Sequence, residues 1–239
     1  MGGASDFRLR RNGEGPGAER TRAPRRQGSD RIRRGLIAAL VVGALALIPV
    51  GIAACGQEER LSGVLRSPPL NASGVTLPAV DDGDSRAGMP FVADRGKLLL
   101  VYFGYTSCPD VCPTTFADLR AAIEGLPEDD RDRIEVAMVT VDPERDTEAK
   151  MAEYLGFFFD DWRAYRTSDP EELARAEQAF AASHRIGKKD RDGTYEVSHT
   201  ATLSVVDGKG EVLVEWPFGT SAEAMTGDLE LLLEEDGEQ

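Results

Sequence analysis

Histidine and cysteine are scarce in this chain, with two of the first and three of the second among 239 residues. Three cysteines are too few for a disulfide scaffold of the kind that holds small secreted domains together. Two histidines leave at most two imidazoles for any metal site. Basic charge is also missing from most of the chain. Residues 1–34 carry ten arginines against four acids, a net +6, and residues 35–54 carry no charge. The overall net charge is −14, so everything from Cys55 onward holds −20. A body that acidic lacks the basic face that displaces counterions from phosphates, which excludes nucleic acid as a partner. There is no internal repeat. Apolar residues reach 41 %, which excludes disordered and fibrous classes. The roughly 180 residues after the leader suffice for one ordinary core.

The leader is informative. Arg31, Arg33 and Arg34 precede Gly35–Ala54, an apolar run long enough to cross a bilayer. It stops at Ile52-Ala53-Ala54-Cys55-Gly56, which resembles the bacterial lipobox, where cleavage leaves a lipid-modified cysteine. The expectation is a basic cytoplasmic leader over 1–34, a signal segment over 35–54, lipid attachment at Cys55 and an extracytoplasmic body on the bacterial plasma membrane. An uncleaved N-terminal anchor would orient the body the same way. An Arg-rich start also suits a mitochondrial inner-membrane protein, although four acids argue against a transit peptide. Residues 56–90, polar and then rich in Pro and Gly, read as a tether and irregular entry segment, with the folded domain expected over 91–239.

Within that domain, Leu98–Phe103 and Ile134–Val141 are apolar runs suited to strands buried on both faces. Phe116, Leu119, Ile123 and Leu126 recur at helical spacing. Further helices are expected over Thr147–Phe158, Pro170–His184 and Ser221–Glu234. Thr200–Val206 and Val212–Trp216, joined by Asp207-Gly208-Lys209-Gly210, read as a hairpin. The order β-α-β-α-α-β-β-α predicts an α/β, thioredoxin-like fold: a central mixed sheet flanked by helices.

Chemistry is expected where the first of these strands ends, because α/β sheets place ligands at the carboxyl ends of their strands. The loop there reads Gly104-Tyr105-Thr106-Ser107-Cys108-Pro109-Asp110-Val111-Cys112-Pro113. Four residues of helical rise, about 6 Å, let Cys108 and Cys112 face one way for a disulfide or a shared metal. A helix start favours the thiolate. Two thiolates make an incomplete metal site, and a third ligand must come from His184 or His199. His184 reads as a helix-end histidine, and His199 stands at a loop-to-strand junction from which it can point into a site. Asp142, Glu144, Arg145 and Asp146 read as turn and capping chemistry ahead of the next helix, the alternative being a loop that supports the site or docks a partner at the end of the second strand. Tyr102, Phe103 and Tyr105 read as core and rim packing.

Gly104–Leu119, with the Gly96-Lys97 lead-in, resembles the signature of the Sco/SenC family of membrane-tethered copper proteins. Thr140–Thr147 and Tyr195–Thr200 are similar to two further blocks of that family, in the same order and spacing. The resemblance implies a thioredoxin-like domain that binds one copper ion, Cu(I) or Cu(II), through Cys108, Cys112 and His199. It also implies a role in assembling the dinuclear copper centre of cytochrome c oxidase. The partners would then be the copper-receiving oxidase subunit, other copper chaperones or thiol reductants, and the membrane. Such a protein is a metallochaperone with thiol-disulfide reductase capacity rather than a conventional enzyme. Two departures stand out: Ser198 replaces the usual Asp before the histidine, and Gly74–Met89 is poor in strand signal.

The competing reading is an extracytoplasmic thiol:disulfide oxidoreductase without copper. Cys-x₃-Cys spacing and a histidine that dithiol exchange does not need weigh against it. A peroxidase lacks its expected threonine-cysteine spacing, and a passive lipoprotein module leaves the paired thiols unexplained. Zinc accepts the same ligand types.

Overall fold

The computed structural model describes residues 60–237 except 82 and 83. The leader, the apolar segment and Cys55 lie outside the described residues. Among the described residues no helix is long and apolar enough to cross a membrane.

Among the described residues nine strands and five helices follow in chain order. They are β1 Thr76–Asp81, β2 Asp84–Pro90, β3 Leu98–Gly104, α1 Val111–Gly125, α2 Glu128–Arg131, β4 Ile134–Thr140 and α3 Glu148–Phe158. Then come β5 Trp162–Tyr165, α4 Pro170–Ala179, β6 His184–Ile186, β7 Val197–His199, β8 Thr202–Val206, β9 Val212–Pro217 and α5 Ala222–Gly237. Seven strands form one mixed sheet in the order β2-β1-β5-β4-β3-β8-β9, and β6 and β7 pair separately. β3 and β4 run parallel at its centre, from Leu98↔Ile134 to Gly104↔Thr140. Every residue of both strands is buried, which is why they read as largely apolar runs rather than alternating ones, with Glu135 of β4 the charged exception. The fold is thioredoxin-like, as the element order implies.

Helices cover the sheet with apolar stripes of helical period. α1 turns Cys112, Phe116, Leu119 and Ala122 inward, so the second site cysteine sits on the stripe that anchors the helix. The Thr147 side chain caps α3 by accepting from the Lys150 N–H at 3.3 Å. Asp169 caps α4, with Pro170 in the first turn.

Three expectations need correction. Residues 76–81 and 84–90, expected to be irregular, form the antiparallel pair β1–β2, and β1 also pairs with β5 inside the sheet. Pro78 sits at the register shift between Leu77 and Ala79, where a missing N–H is tolerated, so the strand carries an interruption that hides it. Strand β5 escapes a hydrophobicity scan because its centre is Arg163, buried in an ion pair with Glu135 of β4. The helix expected to reach His184 stops at Ala179. Ala181 adopts φ 49° without a glycine to announce it, and His184 moves onto β6.

The expected tether is also partly docked. Residues 61–72 run along the outer edge of β9, with reciprocal hydrogen bonds between Val64 and Glu215 at 2.8 and 3.0 Å and an Arg66–Glu215 ion pair. Asp228 of α5, 1 % exposed, accepts from the Ser62 N–H at 2.6 Å, the Gly63 N–H at 3.0 Å and Trp216 Nε1 at 2.7 Å. A side chain at Gly63 would strike Val214 Cγ2 at 2.3 Å.

Candidate metal centre

The carboxyl end of β3 delivers the cysteine loop. Gly104 is required there: a Cβ would lie 2.8 Å from the Tyr102 ring and 3.2 Å from Cys112 Sγ. Asp146, fully buried, fixes the loop that follows. Its carboxylate accepts from the Thr106 N–H at 3.1 Å, Thr106 Oγ1 at 2.6 Å and Thr140 Oγ1 at 2.6 Å. Cys108 is half-buried at the loop's end, and Cys112 is fully buried in the first turn of α1. The Cys112 N–H donates to Cys108 Sγ at 3.4 Å.

The imidazole arrives from the opposite side on β7. Cys108 Sγ, Cys112 Sγ and a ring nitrogen of His199 all lie within 4.8 Å of one another. Cys112 Sγ is 3.5 Å from His199 Nε2. His199 Nδ1 faces the Thr200 carbonyl at 3.1 Å, so Nδ1 carries the proton and the Nε2 lone pair points at the thiols. A backbone carbonyl thus orients the ring, the task an acidic neighbour would otherwise share, and Ser198 points into solvent. Tyr102 and Tyr105 meet the His199 ring edge-on at 5.7 and 5.8 Å. Among the described residues no other group of three His, Cys, Asp or Glu side chains offers ligand atoms this close together.

His184 stands opposite His199 in the β6–β7 ladder, yet its Nδ1 pairs with Glu177 Oε1 at 2.6 Å, and it is not part of the cluster. The loop before His199 is held by residues read from sequence as capping chemistry. Asp142, 2 % exposed, accepts from the Tyr195 hydroxyl at 2.7 Å and pairs with Arg145. The Arg145 guanidinium lies 4.0 Å over the Tyr195 ring and 5.5 Å from the Tyr105 ring, and it donates to the Tyr195 carbonyl at 3.3 Å. Tyr105 closes the link by donating to the Val197 carbonyl at 3.3 Å. Asp142, Arg145, Asp146 and Tyr195 therefore tie the cysteine loop to the histidine loop. In sequence these residues show only as members of the two family-like blocks, Thr140–Thr147 and Tyr195–Thr200; nothing there indicates that the two blocks bond to each other. A cleft of about 660 Å³ opens between the two loops, bounded by Tyr105, Pro109, Arg185 and Val197.

The two thiols are not equivalent. Burial pushes Cys108 up, but hydrogen bonds from the Cys112 thiol, from the Cys112 and Asp110 N–H groups and from Tyr105 outweigh it and bring Cys108 below an ordinary cysteine. Burial, and then the neighbouring Cys108 sulfur, push Cys112 well up. Burial lowers His199, which keeps the ring neutral and able to ligate. Burial and Cys108 raise Tyr105 to about 12, so its hydroxyl keeps its proton. The donor set, two soft sulfurs and one neutral imidazole, fits a soft thiophilic cation such as Cu(I).

A sequence model of the SCO1/SenC family matches residues 91–234. The chain belongs to the SCO1/SenC family. Its relatives include the bovine mitochondrial SCO2 homolog, 30 % identical over 197 residues, which cover 82 % of this chain and 73 % of that protein. The chain spans between 41 % and 73 % of the length of the curated SCO relatives it matches. Among solved structures, apo Sco1 from Thermus thermophilus is 29 % identical at a TM-score of 0.58, covering 72 % of this chain and 95 % of that one. Bradyrhizobium japonicum ScoI, solved with copper bound, is 29 % identical at a TM-score of 0.55, covering 65 % and 96 %. Family membership also accounts for the thioredoxin-like fold found here.

Proposed function

We propose that this SCO1/SenC chain is a membrane-tethered, extracytoplasmic copper chaperone. It binds one copper ion through Cys108, Cys112 and His199 and serves assembly of the dinuclear copper centre of cytochrome c oxidase. The observation that carries the reading is the convergence of two thiols and one correctly oriented imidazole within 4.8 Å. The copper-bound Bradyrhizobium relative supports the choice of metal. Copper is cargo here, and three ligands leave room for a ligand from the acceptor, so transfer can proceed by stepwise ligand exchange without a free ion. The membrane part of the reading rests on the sequence: the apolar run Gly35–Ala54 and the lipobox-like Ile52–Cys55.

The asymmetry of the thiols supports a second capacity of the same site, reduction of a partner disulfide. The Cys108 thiolate attacks one partner sulfur, forming a mixed disulfide and releasing a partner thiolate. Cys112, passing its proton to the partner thiolate released first, then attacks Cys108, releasing the second partner thiolate and leaving a Cys108–Cys112 disulfide. Two electrons pass to the partner, and the oxidised pair can no longer offer two thiolates to copper.

The test is an anaerobic titration of the reduced protein with Cu(I) and Cu(II), with bound metal measured directly. One copper per chain is expected, lost in Cys108→Ser and Cys112→Ser and weakened in His199→Ala. Absence of tight copper together with a readily cycled Cys108–Cys112 disulfide would overturn the chaperone reading and leave an oxidoreductase.

A further inference from the structure

The thiol end of the sheet is also the end at which the chain enters the domain. β3 delivers its cysteines beyond Gly104, and β8, antiparallel to it, starts at Thr202, three residues after His199. β9 ends beside that start, at Thr202↔Pro217, and the entering segment lies antiparallel along β9 with Val64 opposite Glu215. Ser62 and Gly63 are therefore level with the last residues of β9. They are pinned there by the buried Asp228 carboxylate, which also holds Trp216. Leu61 packs on the core as well. From β3 to the entering segment is three strand spacings, about 14 Å across the sheet.

We propose that this Asp228 staple is an orienting device. It makes the chain leave the domain past the thiol end, so that a membrane-tethered molecule presents Cys108, Cys112 and His199 toward the bilayer, to a partner whose receiving site lies close to the membrane surface. The inference rests on the membrane-tether part of the proposed function and is independent of copper. Six residue steps separate Cys55 from Leu61, a reach of at most about 20 Å. The bound is nearly the same for a lipid on Cys55 and for an uncleaved span ending at Ala54. Entry at the opposite end of the sheet would add the length of a seven-residue strand, about 23 Å, between membrane and site. A membrane-bound acceptor with its site near the surface fits this geometry.

The test uses the full chain processed in a bacterial host and reconstituted into phosphatidylcholine vesicles containing a headgroup-labelled acceptor lipid. A bio-orthogonal donor fluorophore is placed in turn at Glu196, exposed beside the site, and at Asp132, exposed at the far end just before β4. Energy transfer from position 196 should exceed that from position 132 by about twofold or more, given a strand-length separation of roughly 20 Å. The difference should shrink in Asp228→Asn, which leaves one acceptor oxygen for three donors. It should also shrink on insertion of a Gly/Ser stretch between Gln57 and Glu58, a variant that leaves the folded residues untouched. Equal transfer, or greater transfer from position 132, overturns the proposal. Recovery of the processed chain in the soluble fraction overturns the tether reading and this inference with it. A chain that binds no copper but shows the expected transfer leaves the orientation standing and removes only the chaperone reading.

Discussion

At the scale of single residues, the site is built on unequal partners. Cys108, lowered below an ordinary thiol, is half-exposed, and Cys112, raised by burial and by Cys108, keeps its proton through the neutral range. A cation held by both sulfurs must displace that proton. Apparent copper affinity should therefore rise with pH, by about tenfold per unit for each proton displaced, and fall as the solution is acidified. Competition against a chelator of known affinity across about pH 6 to 8 measures the slope, and a flat profile would exclude Cys112 as a ligand. His199 adds little to this slope, because burial already favours its neutral ring.

At the scale of elements, Asp146 joins β4 to the cysteine loop through three hydrogen bonds made in the fully buried state. Asp146→Asn puts an NH₂ where an acceptor is needed and should cost about 1–3 kcal/mol in urea unfolding. It should also weaken copper binding by loosening Thr106 to Cys108, whereas Glu144→Gln, at an exposed surface pair, should change neither. Much of this was legible in the sequence. The central strands, the helix stripes and the late hairpin follow from apolar runs and periodicity, and the cysteine pair from its spacing in a strand-to-helix loop, whereas the choice of His199 over His184 comes from the family resemblance. What escaped has a common physical origin. β1 carries Pro78 at a register shift, β5 hides a charge inside an ion pair, and the chain turns away from α4 at the left-handed Ala181, two residues past the helix end. Asp142 and Asp146 looked like capping residues because their work is tertiary, with Thr106 and Tyr195 forty and fifty-three positions away.

At the scale of the whole molecule, the match to the family starts later than the folded unit does. β1 lies between β2 and β5 in the sheet, and residues 61–72 cover the β9 edge. A chain beginning at Phe91 would strip β5 of its antiparallel neighbour, expose that edge and uncover Trp216. Residues 60–239 are expected to unfold cooperatively and stay soluble, while residues 91–239 should aggregate or melt without a sharp transition, as followed by circular dichroism and sedimentation. Cooperative unfolding of the shorter chain would show that the first two strands are dispensable.

The small β6–β7 ladder, separate from the main sheet, gives the histidine a mounting different from that of the cysteines. The sulfurs are fixed to the core, one of them on the buried stripe of α1. The imidazole hangs on a three-residue strand held by the Tyr195 clamp and by Ser183 contacts to Thr200. Opening that appendage breaks only local contacts and leaves the core folded. A metal at this site can therefore lose its imidazole while both sulfurs, fixed to the core, keep their places.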